Sequence, residues 1–467
     1  MSRRISGTRR ALVAAAIAAL VVAAGCGGTP GASPSSNAPS SEGAVKTSGF
    51  DTLGPVNLTI WSYDNQDPGL EPVLKELSSD FTKQYPNVKV KMVFKDFNSL
   101  VNIVPRALAS DDGPDITEGN QGYQTDAQLV KAGLIVPLDP YIKAYSWDKW
   151  YSPSTWSIFR WTNDGKTFGQ GPTWGVAQTG QNVNIYVNAK KLAELGFDPN
   201  AMPTTFDDFN QMLADVRAKL PKDQPVIEAG NQEGYGFIHM FGGIQAAYVA
   251  PQDARDWIMH VPGSTWNSPG TVKALETLQS WGKNGYLNDD YNAIKNDASA
   301  AEFAKGKGVF WIGGNWDSAI IGQGLGADNV KVMPFPPGES GVTAGIGSTS
   351  GPWHISSKTK YPDVAAAWLN YIISSPKAQE LMFSQQQIPS VAGAKAPSTE
   401  PYLGQVASAW QAVEGDDGLM FYTDWASPTM YQTLASNFQK LMADKTSAQD
   451  MATAVQDDWT KFDDSLK

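Results

Sequence analysis

The 467-residue chain has little of what catalysis and metal binding usually need. It holds one cysteine and three histidines. A single Cys cannot close an intramolecular disulfide. His239, His260 and His354 lie far apart in sequence, and each reads as a structural or surface histidine rather than a ligand. No HExxH, G-x-S-x-G, P-loop or Cys cluster occurs, so metalloprotease, serine-hydrolase, nucleotide-hydrolysing and zinc-finger chemistry find no support. No metal and no cofactor is expected. Positive charge is also scarce: 36 Lys and Arg stand against 47 Asp and Glu, a formal net charge of −11. Nucleic-acid binding needs a basic footprint, and this composition excludes it. Finally, only one long apolar run exists, Ala11 to Ala24. That run is shorter than the roughly 20 residues of a spanning helix.

The run belongs to an N-terminal address. Arg3, Arg4, Arg9 and Arg10 precede it without any acid, and small residues close it. A basic head, a short apolar core and small residues read as an export signal over residues 1–25. A buried N-terminal helix is the competing reading, but such a helix would have neither polar face nor cap. The sole cysteine, Cys26, stands where the run stops, in Val22-Ala23-Ala24-Gly25-Cys26-Gly27-Gly28. This resembles the lipobox of bacterial lipoproteins, with Ala23 where Leu is usual. The resemblance implies a lipidated Cys26 as mature N-terminus, whereas a free thiol in a secreted protein is the plainer alternative. Two or more acyl chains anchor stably where one does not. Gly27 to Phe50 is rich in Gly, Ser, Pro and Ala and cannot bury enough surface to fold. Residues 26–54 are therefore read as the lipidated Cys and a flexible tether. Without residues 1–25 the charge falls to about −15, as suits an exported surface.

The remaining body of about 415 residues exceeds one hydrophobic core, so two lobes are expected. Val56 to Trp61 and Val88 to Phe94 alternate as strands, and Asp115 to Thr117 begins a third. Gly69 to Tyr85 carries Leu70, Val73, Leu74, Leu77 and Phe81 at helical spacing and stops at Pro86-Asn87. Ser99 to Ala109 is also helical. Strand, helix, strand, helix, strand predicts a parallel sheet covered by helices. Further helices are predicted at 189–195, 206–220, 269–284, 363–374, 376–385 and 429–443, with β-rich pieces at 308–312 and 330–333.

The order of these segments carries a resemblance. The stretch from Leu58 to Phe94 resembles the opening of the extracellular solute-binding proteins (family 1) of bacterial sugar ABC importers, similar in outline to maltose-binding protein. The likeness continues through Gly113-Pro114-Asp115-Ile116, Gly133 to Asp139, Trp174-Gly175-Val176, and Gly306 to Phe310 with Gly314-Asn315-Trp316. It ends with Gly345 to Gly351, Trp353-His354-Ile355-Ser356 and Ile388-Pro389-Ser390. The family implies a periplasmic-binding-protein-like α/β fold, two lobes joined by hinge strands with a ligand cleft between them. Carried onto this chain, lobe one is 55–180 with 348–388 and lobe two is 181–347 with 389–467. The implied function is capture of a mono- or oligosaccharide by a lipid-anchored monomer on the extracytoplasmic face of the membrane. The implied partners are that carbohydrate, the permease subunits of an ABC importer, and the membrane through the anchor.

Sugars present apolar C–H faces and hydroxyl edges, which suit aromatic faces, amides and carboxylates. Tyr63, Asp64 and Asn65 follow the first strand at its carboxyl end, where ligands gather in open α/β sheets; a simple turn is their alternative. Glu118, Asn120 and Gln121 follow the third strand, with Gly119 open to close backbone approach. The resemblance adds Gln181 and Asn182 in the first crossing and Ser348 and Thr349 in the second, with Gly347 and Gly351 beside them. It also adds Asn315 and a sugar-stacking Trp316. Asp424 and Trp425 supply a late carboxylate and aromatic. Phe237, His239 and Phe241 either line the cleft or pack in the core. Two other readings stay open. The same fold could take a polyamine, peptide or osmolyte, with Asp64, Glu118 and Asp424 clustering around a cation. A glycoside hydrolase would need two carboxylates about 5–10 Å apart, which the many acids do not exclude.

Overall fold

The computed structural model describes residues 44–467, apart from Ala392, Ser398 and Asp416. The export signal, Cys26 and most of the tether lie outside the described residues. The tether's last residues are not loose. Phe50 is buried, and Asn87 donates from its amide to the carbonyls of Phe50 and Leu53 at 2.8 and 3.1 Å. One bulky aromatic, spaced to reach the edge of the first sheet, is what ends the flexible composition.

The strands, in chain order, are β1 (Val56–Ser62), β2 (Val88–Phe94), β3 (Ile116–Glu118), β4 (Arg160–Trp161), β5 (Phe168–Thr173), β6 (Thr179–Asn188), β7 (Ile227–Glu228), β8 (Phe310–Gly314), β9 (Val330–Met333), β10 (Gly345–Thr349), β11 (Trp353–Ile355), β12 (Ile388–Pro389) and β13 (Leu419–Met420). The first sheet has the order β11-β3-β1-β2. As the alternation predicted, β1 runs parallel to both β2 and β3. The helix Leu70–Gln84 buries Leu70, Val73, Leu74, Leu77 and Phe81, so its apolar stripe faces the core. The second sheet has the order β13-β10-β6-β8-β7, and β9 and β12 also pair with β6. Helices 206–219, 235–246, 269–283 and 430–442 belong to this second lobe's core, where Phe209, Phe237, Phe241, Leu278 and Phe438 are almost fully buried.

The chain passes between the sheets at closely paired strands. Gly347, Ser348 and Thr349 of β10 pair antiparallel with Asn182, Gln181 and Gly180 of β6. Only Ser350, Gly351 and Pro352 separate β10 from β11, which belongs to the first sheet. Ile388 and Pro389 of β12 pair with the same N-terminal end of β6, at Gly180 and Thr179. Among the described residues no helix is long and apolar enough to cross a membrane.

Candidate functional site

A pocket with about 1080 Å³ of empty space, its open mouth included, lies where the two sheets meet. Its first wall is made by the carboxyl ends of β1, β2 and β3. The sheet order places β1 between β3 and β2, so the strand order reverses at β1, where open sheets form a crevice. Tyr63 to Gln66 follow β1, Asp96 to Asn98 follow β2, and Asn120 and Gln121 follow β3. The opposite wall comes from Glu233, Tyr235, His239, Lys295, Asp297, Trp316, Tyr422, Asp424, Trp425 and Tyr431. Gln181, Thr349 and Gly351 supply the floor at the crossings.

Ten of the thirteen residues predicted as ligand contacts line this pocket: Tyr63, Asp64, Asn65, Asn120, Gln121, Gln181, Trp316, Thr349, Asp424 and Trp425. The other three stand behind the wall. Asn315 is buried and donates from its side chain to the Gly180 carbonyl at 3.0 Å, tying β8 to β6. Asn182 is buried; its backbone N–H donates to Asn315 Oδ1 and its amide to Asn184 Oδ1. Ser348 is buried too, and its hydroxyl finds no partner. On β6, neighbours face opposite ways, so Gln181 reaches the pocket while Asn182 does not. Ser348 lies opposite Gln181 in the register but is buried beside it, and Thr349, at the end of β10, reaches the pocket instead. Gly119 makes room for the chain itself, since a Cβ there would meet His354 Nε2 at 2.6 Å. Phe237 and Phe241 are core, while His239 reaches the pocket.

Sequence reasoning missed Asp96, Phe97, Asn98, Glu233, Tyr235, Lys295, Asp297, Tyr422 and Tyr431. The first three were accessible by the argument that found the other loops, because they too follow a sheet strand. The rest come from helix starts and loops of the second lobe, where no local pattern distinguishes a pocket residue.

Trp316 is half-buried, unlike Trp353, Trp368 and Trp311, which are fully buried. Its ring lies edge-on to His239, with centroids 5.3 Å apart. It also rests over Gly314, where a Cβ would fall 2.1 Å from the indole. His239 contacts Tyr422 as well, at 5.5 Å, and burial holds its imidazole near a pKa of about 3, so it is neutral. Its Nδ1 and the Tyr422 hydroxyl are buried without partners. Tyr63 packs edge-on to Phe97 at 5.0 Å. The pocket is therefore lined by aromatic faces and unsatisfied polar edges.

Its carboxylates are strained electrostatically. Asp64 accepts from Gln178 Nε2 at 3.0 Å, yet burial raises it to about 6. Behind it Glu118 accepts from Ser62 Oγ at 2.6 Å and from the Tyr63 backbone at 2.8 Å. Burial pushes Glu118 well above the usual range, and the Asp64 charge adds to this. Burial likewise raises Asp424 to about 6, against the help of a hydrogen bond from Asn120. Asp297 accepts from the Tyr235 hydroxyl at 2.9 Å. The two remaining histidines are structural: His354 bridges the Trp174 carbonyl and Asp126, and His260 stacks on Trp459 at 4.6 Å. Among the described residues no group of three or more His, Cys, Asp or Glu is placed to hold a metal ion.

Comparison with known proteins gives a consistent result. The family described as bacterial extracellular solute-binding protein matches residues 63–380. The chain is 24% identical over 333 residues to the multiple sugar-binding protein of Streptococcus mutans, covering 68% of this chain and 72% of that one. It is 22% identical over 345 residues to the maltodextrin-binding protein of Bacillus subtilis, covering 70% and 72%. Among solved structures, a chitin oligosaccharide binding protein superposes with a TM-score of 0.75 at 19% identity, over 88% of this chain and 99% of that one.

Proposed function

Because the chain belongs to the bacterial extracellular solute-binding protein family, we propose that it captures a mono- or oligosaccharide in this pocket and delivers it to an ABC importer. The observation that carries the reading is the lining itself: half-buried Trp316 and the rings of Tyr63, Tyr235, Tyr422 and Tyr431 alternate with Asn65, Gln66, Asn120, Gln121 and several carboxylates. Flat rings suit the C–H faces of a sugar, and amides and carboxylates suit its hydroxyls. The sugar-binding relatives support the same ligand class. Binding then works by population shift: a ligand that touches both walls favours the arrangement in which both are close. Delivery to permease subunits, lipid attachment through Cys26 and residence on the outer face of the membrane complete the proposal. We place no bond-breaking step in the pocket, because the relatives are binding proteins.

A thermal-shift screen of mono-, di- and oligosaccharides against the protein lacking residues 1–26 tests this. A ligand at 100 times its dissociation constant adds about 2.7 kcal/mol and raises the melting temperature. Shifts from peptides or osmolytes, with none from any saccharide, would reassign the ligand. Cleavage of oligosaccharides that disappears on changing a pocket carboxylate would reassign the protein to hydrolases.

A further inference from the structure

The pocket has a charge imbalance that a neutral sugar does not need. Five carboxylates line it: Asp64, Asp96, Glu233, Asp297 and Asp424. One cation, Lys295, lines it with them, and its Nζ already lies 4.0 Å from Glu233 Oε1. No arginine is in the lining, and His239 is uncharged. Asp96 is partly committed as a helix cap, accepting from the Ser99 backbone at 3.2 Å. Asp64 and Asp424 have neutral hydrogen-bond donors beside them and no counter-ion, while Asp297 has the Tyr235 hydroxyl and only the Lys295 that also faces Glu233. Two more acids, Glu118 and Asp317, stand directly behind the walls, each with one carboxyl oxygen buried and unpartnered, and burial pushes both toward the uncharged form, so the imbalance rests on the five lining acids. Hydroxyl groups can donate to such oxygens, but they leave the charge in place. A buried charge is costly unless an opposite charge meets it.

The acids also come from both sides. Asp64 and Asp96 follow β1 and β2, whereas Glu233, Asp297 and Asp424 stand on the wall built around the second sheet. Across the pocket the Asp96 charge works against that of Asp297. A cationic group between them would draw the two walls together. The surrounding rings of Trp316, Tyr235, Tyr422 and Tyr431 add faces that attract cations. Two buried atoms at the wall, Tyr422 hydroxyl and His239 Nδ1, wait for a polar partner.

We propose that the saccharide this pocket takes bears a protonated amine, as an amino sugar or amino-sugar oligomer does. This rests on the reading of the pocket as a saccharide site and narrows it. The amine would sit among Asp64, Asp297 and Asp424, with the sugar ring against Trp316.

The test uses matched saccharide pairs and the protein lacking residues 1–26. Glucosamine, galactosamine and mannosamine, and β-1,4-linked glucosamine oligomers, are titrated calorimetrically beside their N-acetylated and hydroxyl counterparts. In at least one pair the free amine should bind more than about tenfold tighter, a difference of about 1.4 kcal/mol. Its affinity should fall several-fold between about 20 and about 300 mM salt, as charge pairing is screened. Asp424→Asn and Asp297→Asn should each shrink the preference for the amine more than they weaken the neutral partner. Neutral saccharides that bind as tightly as, or tighter than, every amine counterpart would overturn the inference and leave the carbohydrate reading standing. The inference is equally overturned if no amino saccharide binds. Binding of spermidine with no response to any saccharide, charged or neutral, would instead remove the carbohydrate reading itself.

Discussion

Asp424 is only 8% exposed, and its carboxyl is raised from 3.8 to about 6 by burial. A tenfold change in a proton's binding constant is worth about 1.4 kcal/mol, so the charged form costs the ligand-free fold up to about 3 kcal/mol. The direction follows from linkage. Between pH 3.8 and 6 the folded state holds more protons than the unfolded state, so stability falls as pH rises through this window and is flat above it. Asp424→Asn keeps the shape and removes the charge, and its amide can still pair with Asn120. The variant should therefore be more stable than the parent at about pH 7.5, by up to about 3 kcal/mol, and by only about 1 kcal/mol at about pH 4.5. A domain of 150–250 residues shifts by about 2–4 °C per kcal/mol, and this larger chain by less, so a rise of about 3–6 °C is expected at the higher pH. Calorimetric melts of both proteins without ligand, at the two pH values, give the comparison. Binding should weaken while stability rises, the trade expected where a charge is kept for function. A variant no more stable than the parent at the higher pH, or a gain of equal size at both, would refute the argument that Asp424 is a buried, uncompensated charge.

Other perturbations separate the remaining roles. Trp316→Ala should cost less than the roughly 3–5 kcal/mol of a core tryptophan, which Trp368→Ala should show, and should weaken sugar binding by about 1–3 kcal/mol; a large fall in melting temperature at unchanged affinity would return Trp316 to the core. Gly314→Ala should mimic that binding loss, because the new methyl would displace the indole; unchanged affinity would show that the indole's seat is unimportant. Cys26→Ser should release the protein to the medium or leave its precursor uncut, and a variant processed and membrane-bound like the parent would refute lipidation. Small-angle scattering at ligand saturation should give a smaller radius of gyration than without ligand; an equal radius would argue against closure.

The first lobe was the more legible of the two. Alternating VNLTIW and VKVKMVF, with a helix of clear apolar stripe between them, sufficed to expect parallel β1 and β2, and the register runs from Val56 opposite Val88 to Ser62 opposite Phe94. The helix Tyr235–Ala246 shows why the second lobe was harder. Eleven of its twelve residues are buried, so it has no polar face to give a period. Likewise the helices 296–304 and 318–325 have weak stripes, and neither was expected. In the pocket, residues placed just after sheet strands could be found from the sequence. Tyr235, Lys295 and Asp297 could not, since only the packing of separate segments brings them to one wall. The displacement of Asn182 behind the wall is a matter of one residue of phase along β6, whereas Ser348, opposite Gln181 in the register, is set back only by the packing around it.

The pairing of β6 with β10 and β12 restricts how the two halves can move. Three passages of chain lie side by side, knitted at Thr179 to Asn182 against Gly347 to Thr349 and Ile388 to Pro389. Such a ribbon flexes and twists at small cost, but it resists sliding, because a slip of one residue turns every side chain to the other face. The joint therefore behaves like a leaf spring rather than a ball and socket. Its freedom amounts to one bending angle and some torsion, without independent translation. Ligands of different length would then be accommodated by how far the spring bends and twists, with no independent sliding of one half along the other.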